Sequence, residues 1–387
     1  MLKRLKVENF KSLENFECEF GKFNVLVGKN NSGKSNVIDV LSFLIEGFRD
    51  SIEKIFNRRG GYNEVVFAGN EENDIEIETE FELNLKEGTV LLDYYIKIAG
   101  KYNTGKVIEE KLITKETING ITNIKEFSDL GLFGKVASIK IPYTMPLTGE
   151  ESHERMKAAN TIKDLRESEG YGGILFEIMV NSIHTYVIIP QNIKTEYPET
   201  FIDKYLNLDK KCENLALFLL KLSQQDKKKF ERIKELLNGV ACDIEDISPI
   251  IEGKHVYLKI KDKNFNKYFY PESISEGTMS LLAYITILET TKENAVICFE
   301  EPENYIYMRL LEFLVDLMKN SDKQIILTTH SPYFIDWCTP EDLILIEKKN
   351  GKTSARKIKN PEKMKESLIE SGLTLSESYH SDELKNE

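Results

Sequence analysis

Tryptophan occurs once in these 387 residues and cysteine five times, as Cys18, Cys212, Cys242, Cys298 and Cys338. An odd count, wide spacing and no C-x-x-C pair exclude a disulfide framework and a cysteine zinc site. The histidines, His153, His184, His255, His330 and His380, show no ligand spacing either. No run approaches the ~18 apolar residues of a membrane span, and the opening MLKRLKVENF has no hydrophobic leader core. These absences predict a cytoplasmic protein with no membrane partner. A basic surplus is lacking too. The 52 Lys and Arg stand against 64 Asp and Glu, a net charge of −12, so any DNA contact must come from a local basic patch. What remains, 41% hydrophobic and 30% charged residues, is the balance of an ordinary globular chain long enough for two lobes.

The most informative stretch is FNVLVGKNNSGKSNVIDVL, residues 23–41. Gly28-Lys29-Asn30-Asn31-Ser32-Gly33-Lys34-Ser35 fits G-x-x-x-x-G-K-[ST], after a buried-strand run, Val25 to Val27, and before a helical pattern, Val37 to Leu41. The glycines let successive N–H groups turn inward, and the helix starting near Lys34 aims its positive end at a polyphosphate. Asn30, Asn31, Ser32, Gly33, Lys34, Ser35 and Asn36 are therefore the expected nucleotide contacts, with Lys34 reaching the β- and γ-phosphates and the Ser35 hydroxyl binding Mg²⁺. ATP and Mg²⁺ are the implied cofactors. Residues 2–8 and Phe16 to Phe20 read as a hairpin ahead of this loop, which would bring Lys11 near it as a second cation.

Farther on, Asp74 to Leu83, Val90 to Ile98 and Lys106 to Thr114 alternate as an antiparallel meander with one solvated acidic face. Glu151 to Glu169 is polar and helix-compatible, Ile174 to Val180 leads toward a short strand at Tyr186 to Pro190, and Glu199 to Gly239 holds two helices. Lys210, Lys211, Lys221, Lys227, Lys228 and Lys229 read as a solvated helix face, with nucleic acid as the alternative. Asp246 to Ile260 returns to strand. Ser275 is placed to cap a helix carrying Leu281, Leu282, Ile285 and Leu288, with Gly277 keeping its start open. An uncharged strand, Ala295 to Phe299, runs into Glu300-Glu301-Pro302-Glu303, the arrangement by which a P-loop fold puts one carboxylate on Mg²⁺ and another beside the attacking water. A helix at Tyr307 to Lys319, a strand at Gln324 to Thr328 ending in Thr329-His330-Ser331-Pro332, a strand at Leu343 to Glu347 and a basic stretch, Lys348 to Lys365, follow.

In this order the parts resemble ATP-binding-cassette-type ATPases, in particular the soluble branch of SMC proteins, RecF and the OLD-family ATPases. Asn9-Phe10-Lys11-Ser12 and Gly372-Leu373-Thr374-Leu375 are similar to that group as well. The resemblance implies an α/β fold: an ABC-type P-loop NTPase head with a mixed sheet, an antiparallel lobe and flanking helices. The head would be formed by residues 1–50 and 270–387, the β lobe by 51–150, and a mainly helical inserted region by 151–269. It also implies Glu301 as the base on water, Glu300 as the Mg²⁺-linked carboxylate, His330 as the γ-phosphate switch, and Ser275 to Thr278, with Ser275 and Gly277, completing a partner's site. The expected assembly is a homodimer or higher homo-oligomer around Mg-ATP, in DNA repair or anti-phage defence, with DNA or a separate effector such as a nuclease as partner. The alternative is a nucleotide-gated scaffold that regulates an effector with little turnover. A direct DNA clamp is a third reading, resting on the 210–229 lysines and the basic tail. This sequence departs from the group in having no glutamine between the phosphate loop and residue 190, so the Q-loop ligand is either absent or displaced to Gln191. It also has Asn304-Tyr305-Ile306-Tyr307-Met308 where an N-H-L-H-P-like run is common, and both departures predict slow turnover. The 57 residues after His330 are too few for the appended nuclease domain of OLD proteins, so cutting would fall to another protein.

Overall fold

A computed structural model describes residues 1–85, 88–118, 121–128, 130, 133, 182–194, 197–198, 207–241, 243–265 and 267–381. The polar helix expected at Glu151 to Glu169 and the strand expected at Ile174 to Val180 lie outside these residues. The chain forms two compact units, one of Met1–His184 with Ile344–Lys357, the other of Thr185–Leu343 with Ile358–Glu387.

In the first unit β1 (Leu2–Phe10) and β2 (Leu13–Glu19) form the expected hairpin, Phe10 facing Leu13 across a two-residue turn of Lys11 and Ser12. Alternation decides its faces: Leu2, Leu5, Val7 and Phe10 are buried while the residues between them are half-exposed. Next come β3 (Phe23–Val27), α1 (Lys34–Gly47), α2 (Ile52–Asn57) and α3 (Tyr62–Val65). The acidic alternating region becomes β4 (Ile75–Leu85), β5 (Gly88–Lys101), β6 (Thr104–Ile118) and β7 (Ile121–Ser128). They join the hairpin in one antiparallel sheet ordered β2-β1-β4-β5-β6-β7. Its inner face carries Ile75, Ile77, Leu92, Tyr94, Ile96 and Ile98, and an aromatic cluster of Phe10, Phe43, Phe48, Phe56, Tyr62 and Phe133 fills the unit.

In the second unit, β8 (Ile183–Tyr186), which begins at the unit boundary, α4 (Pro190–Ile193) and β9 (Tyr197–Pro198) precede α5 (Leu215–Gln225) and α6 (Lys227–Val240). The expected single strand from Asp246 to Ile260 is two, β10 (Ile244–Glu252) and β11 (His255–Asp262), because Gly253 at φ 64 lets the chain reverse. After β12 (Tyr268–Phe269) come α7 (Glu276–Thr290), β13 (Val296–Glu300), α8 (Met308–Asn320), β14 (Gln324–Thr329) and α9 (Pro332–Asp336). The strands β13 and β14 run parallel and are almost wholly buried, as their unbroken apolar runs require. Returning to the first unit, β15 (Leu343–Lys349) and β16 (Lys352–Lys357) pair antiparallel, and β15 lies beside β3. The tail ends in α10 (Pro361–Ser371) and α11 (Leu375–His380), divided by Gly372 in the left-handed conformation and a Thr374–Glu377 capping box.

Candidate nucleotide site

The phosphate loop belongs to the first unit. It leaves the fully buried Val25-Leu26-Val27 and curls back through Asn31 at φ 64 and Gly33 at φ 102. A Cβ on Gly28 would strike the Ile346 carbonyl oxygen of β15 and the Ser32 hydroxyl, and one on Gly33 would strike the Thr353 side chain. The loop therefore accepts no side chain at either glycine. Gly33 is the N-cap of α1 and no side chain caps this helix, which leaves its dipole end for an anion. The Lys34 side chain is buried and its Nζ donates to the carbonyls of Gly28 at 2.8 Å and Lys29 at 3.3 Å, which places the ammonium inside the curl. Ser35, Asn30 and Asn31 are exposed, whereas the buried Ser32 hydroxyl has no hydrogen-bond partner among the described residues. An orphaned hydroxyl, an uncapped helix start and two Cβ-intolerant positions fit a polyphosphate.

Two residues brace this loop from a distance. The Thr353 hydroxyl donates to the Ser32 carbonyl at 2.9 Å and meets the Ser12 hydroxyl at 2.7 Å, while Asn36 Nδ2 donates to Ser12 Oγ at 2.7 Å. Thr353 had no signal in the sequence beyond its place in a basic stretch; Ser12 was visible only as part of Asn9-Phe10-Lys11-Ser12. Lys11, at φ 50, sets its Nζ 2.7 Å from Asp39 Oδ2 on α1, four residues beyond Ser35. Burial pushes the Asp39 carboxyl up, but the Arg59 guanidinium and the Lys11 ammonium outweigh it and hold the group below the ordinary range.

The second unit carries the remaining candidates. Ser275 caps α7 as expected: its Oγ accepts from the Thr278 N–H at 3.2 Å and lies 2.7 Å from the Thr278 hydroxyl. A Cβ on Gly277 would lie 2.7 Å from the Tyr305 carbonyl oxygen. Gln191 Nε2 donates to Glu276 Oε1 at 2.7 Å, which ties Gln191 to the start of the same helix. Glu300 ends β13 opposite Thr328, and the next residue, Glu301, turns out of the sheet at φ 45. That left-handed conformation costs a non-glycine residue ~1–3 kcal/mol. It is held by the Glu301 N–H donating to the Thr328 carbonyl at 3.0 Å.

Glu301 and His330 come together, with His330 Nδ1 3.3 Å from Glu301 Oε1 and Asn304 Nδ2 donating to Glu301 Oε2 at 3.1 Å. Glu303, which the residue pattern alone did not select, is a further member. Its Oε1 accepts from the Thr329 hydroxyl at 2.6 Å and from the His330 N–H at 3.2 Å, and its buried Oε2 has no partner among the described residues. Among the described residues no three His, Cys, Asp or Glu side chains gather as metal ligands. Magnesium, which keeps several waters and takes one or two protein oxygens beside phosphate, fits the exposed Ser35 hydroxyl at the start of α1 without such a cage. Of the lysine cluster, Lys227, Lys228 and Lys229 are exposed at the start of α6, but Lys221 is buried on α5 and is not part of a solvated face. No described helix is long and apolar enough to cross a membrane.

Among known proteins the chain is similar to the Old nuclease of Escherichia phage P2, 24% identical over 415 residues, which cover 98% of this chain and 65% of that protein. It is also similar to an ATP/GTP phosphatase of Helicobacter pylori, at 23% identity with 87% of each covered. The DNA double-strand break repair Rad50 ATPase of Sulfolobus acidocaldarius is 26% identical over 51% of this chain and 22% of its own length. The chain thus spans about two thirds of the Old nuclease and under a quarter of the Rad50 protein. Two solved SMC heads have the same fold at a TM-score of 0.52. One is bound to the C-winged helix domain of ScpA, at 17% identity over 94% of this chain and 99% of that one. The other, from Pyrococcus furiosus and bound to the C-terminal domain of ScpA, is 16% identical over 96% and 99%. The expected mixed α/β P-loop head is therefore the fold. With the AAA ATPase domain profile matching residues 1–335, the chain belongs to the AAA ATPase domain family, as an ATPase of the SMC/Rad50/OLD-like group.

Proposed function

We propose that this chain binds Mg-ATP on Gly28 to Ser35, hydrolyses it slowly, and works as a homodimer in DNA repair or anti-phage defence. In this reading Lys34 and Lys11 neutralise phosphate charge, Ser35 and Glu300 hold Mg²⁺, Glu301 orients and deprotonates the attacking water, and His330 senses the γ-phosphate. Magnesium held there would supply positive charge that offsets the charge developing on the phosphates. Asn30, Asn31, Ser32, Gly33 and Asn36 would line the phosphates, and Ser275 with Gly277 would complete the site of a second copy. The observation that carries the reading is the uncapped α1 behind a loop in which neither glycine tolerates a side chain, with Lys34 turned into its curl. DNA repair or anti-phage defence is suggested by the relatives, named a nuclease of a phage and a DNA double-strand break repair ATPase.

A second reading, an ATP-gated scaffold for a separate effector such as a nuclease, is favoured by one feature. Tyr305, Tyr307, Met308 and Tyr333 expose large apolar surfaces on segments adjoining Glu301 and His330, a composition typical of protein contacts. Steady-state ATP hydrolysis with and without duplex DNA, with Glu301→Gln as a blank that still binds nucleotide, separates the two. Turnover that DNA accelerates and the substitution abolishes supports the ATPase reading. Nucleotide binding with turnover no higher than the blank in either condition replaces it with the scaffold.

A further inference from the structure

We infer that Asp39 is a positioning residue for the nucleotide: it is the resting counter-ion of Lys11, and Lys11 leaves it for the polyphosphate when ATP enters the loop, while Arg59 stays and keeps Asp39 paired. This rests on the phosphate-loop reading above and adds a residue and a movement to it.

Three observations carry the inference. First, the two cations on Asp39 differ in freedom. Arg59 is locked: its side chain is 9% exposed, its Nη2 lies 3.0 Å from Asp39 Oδ1, its Nη1 lies 2.8 Å from Glu46 Oε2, and its guanidinium sits over the Phe43 ring. Lys11 is 30% exposed and its ammonium has Asp39 as its one partner among the described residues. A departing Lys11 therefore leaves behind a carboxylate still held by a planar fork, and no buried charge is orphaned.

Second, the backbone under Lys11 is fixed while its side chain is not. Its N–H donates to the Val65 carbonyl at 2.6 Å. Its neighbour Ser12 is bonded to Asn36 and, through Thr353, to the Ser32 carbonyl of the loop itself. The turn is bolted to the phosphate loop, so a swing of the side chain alone delivers the charge. Third, the turn requires a positive φ at residue 11, a conformation that glycine or asparagine adopts with less strain. A lysine in this strained position points to a use for its charge. The distance is short enough: Asp39 lies four residues past Ser35, roughly 6 Å along the helix axis at 1.5 Å per residue, within reach of a lysine side chain.

The test is a double-mutant cycle on binding of a fluorescent, non-hydrolysable ATP analogue with Mg²⁺ at fixed ionic strength, using wild type, Asp39→Asn, Lys11→Met and the double variant. Lys11→Met weakens binding. Asp39→Asn tightens it about three- to fivefold when Lys11 is present, because the competing partner is gone, and by less than about twofold in the Lys11→Met background. Equal tightening in both backgrounds, or none in either, overturns the exchange. Wild-type protein that is folded and binds no analogue overturns the phosphate-loop reading instead. Should Asp39→Asn not fold, wild type with ¹³C-dimethylated lysines serves. The Lys11 signal, identified by its loss in Lys11→Arg, moves on adding the analogue, and an unmoved signal in protein that has bound it overturns the inference.

Discussion

Glu303 receives the Thr329 hydroxyl at 2.6 Å and the His330 N–H at 3.2 Å on the same carboxylate oxygen, so one buried side chain sets where the histidine stands relative to Glu301. Charge-assisted hydrogen bonds of this kind are about twice as strong as neutral ones. The pair Glu301 and His330 therefore depends on a third carboxylate that touches neither the water nor the nucleotide in the proposed reaction.

Glu303→Ala is expected to lower the rate of ATP hydrolysis by about 10- to 100-fold, the scale of a misplacement near 1 Å, with nucleotide affinity within about twofold. Single-turnover hydrolysis beside a binding isotherm checks it. A loss confined to affinity would contradict a positioning role.

Gly33→Ala places a methyl group against Thr353 in a backbone at φ 102. Nucleotide binding should be lost and stability should fall by about 1–3 kcal/mol. Adding Thr353→Ala removes the collision but not the strained φ, so it should not restore binding. Titration calorimetry and thermal melts read both, and full recovery in the double variant would show that the collision alone matters.

The pH dependence of stability should carry the mark of Asp39. Its carboxyl is pushed up by burial but held below the ordinary value of 3.8 by Arg59 and Lys11. A depressed folded-state value contributes stability that is present above 3.8 and is lost as pH falls through the lower, folded value. Asp39→Asn should therefore cost about 1–3 kcal/mol near neutral pH, with the gap to wild type closing below about pH 4. Denaturant melts across that range decide it, and a gap independent of pH would sink the assignment.

Cys18 and Cys298 should be inert in the folded protein. Cys18 and Cys298 are buried, and burial first of all pushes both thiols up to about 12, so almost no thiolate exists at neutral pH. Iodoacetamide at mild pH should leave both unmodified until denaturant is added, as peptide mass spectrometry would read. Rapid labelling of either in native protein would be incompatible with this packing.

What was legible beforehand was what is contiguous. Gly28 to Ser35, Ser275 to Thr278 and the Glu300–Glu303 run each complete a local geometry within a few residues, so their strands and helix starts lie within a residue or two of expectation. Alternation predicted the meander β4 to β6 for the same reason. It failed at Asp246 to Ile260, where both arms of a hairpin share a period of two and only Gly253 marks the reversal. It failed also at Lys221, whose charge suggested solvent but whose place on α5 puts it inside.

The sequence by itself determined the phosphate loop, the carboxylates that end β13 and the mixed α/β class, because glycine torsions, helix caps and hydrophobic period act over one turn or one strand. Only the tertiary structure decided the supports of those parts: Thr353 on Ser32, Ser12 on Asn36, Glu303 on His330, Gln191 on Glu276 and Lys11 on Asp39. Hydrogen bonds and ion pairs act over a few ångströms of space, and the partners in these pairs stand between 24 and 321 residues apart along the chain. No local pattern records a pairing that exists only after the strands have found their register.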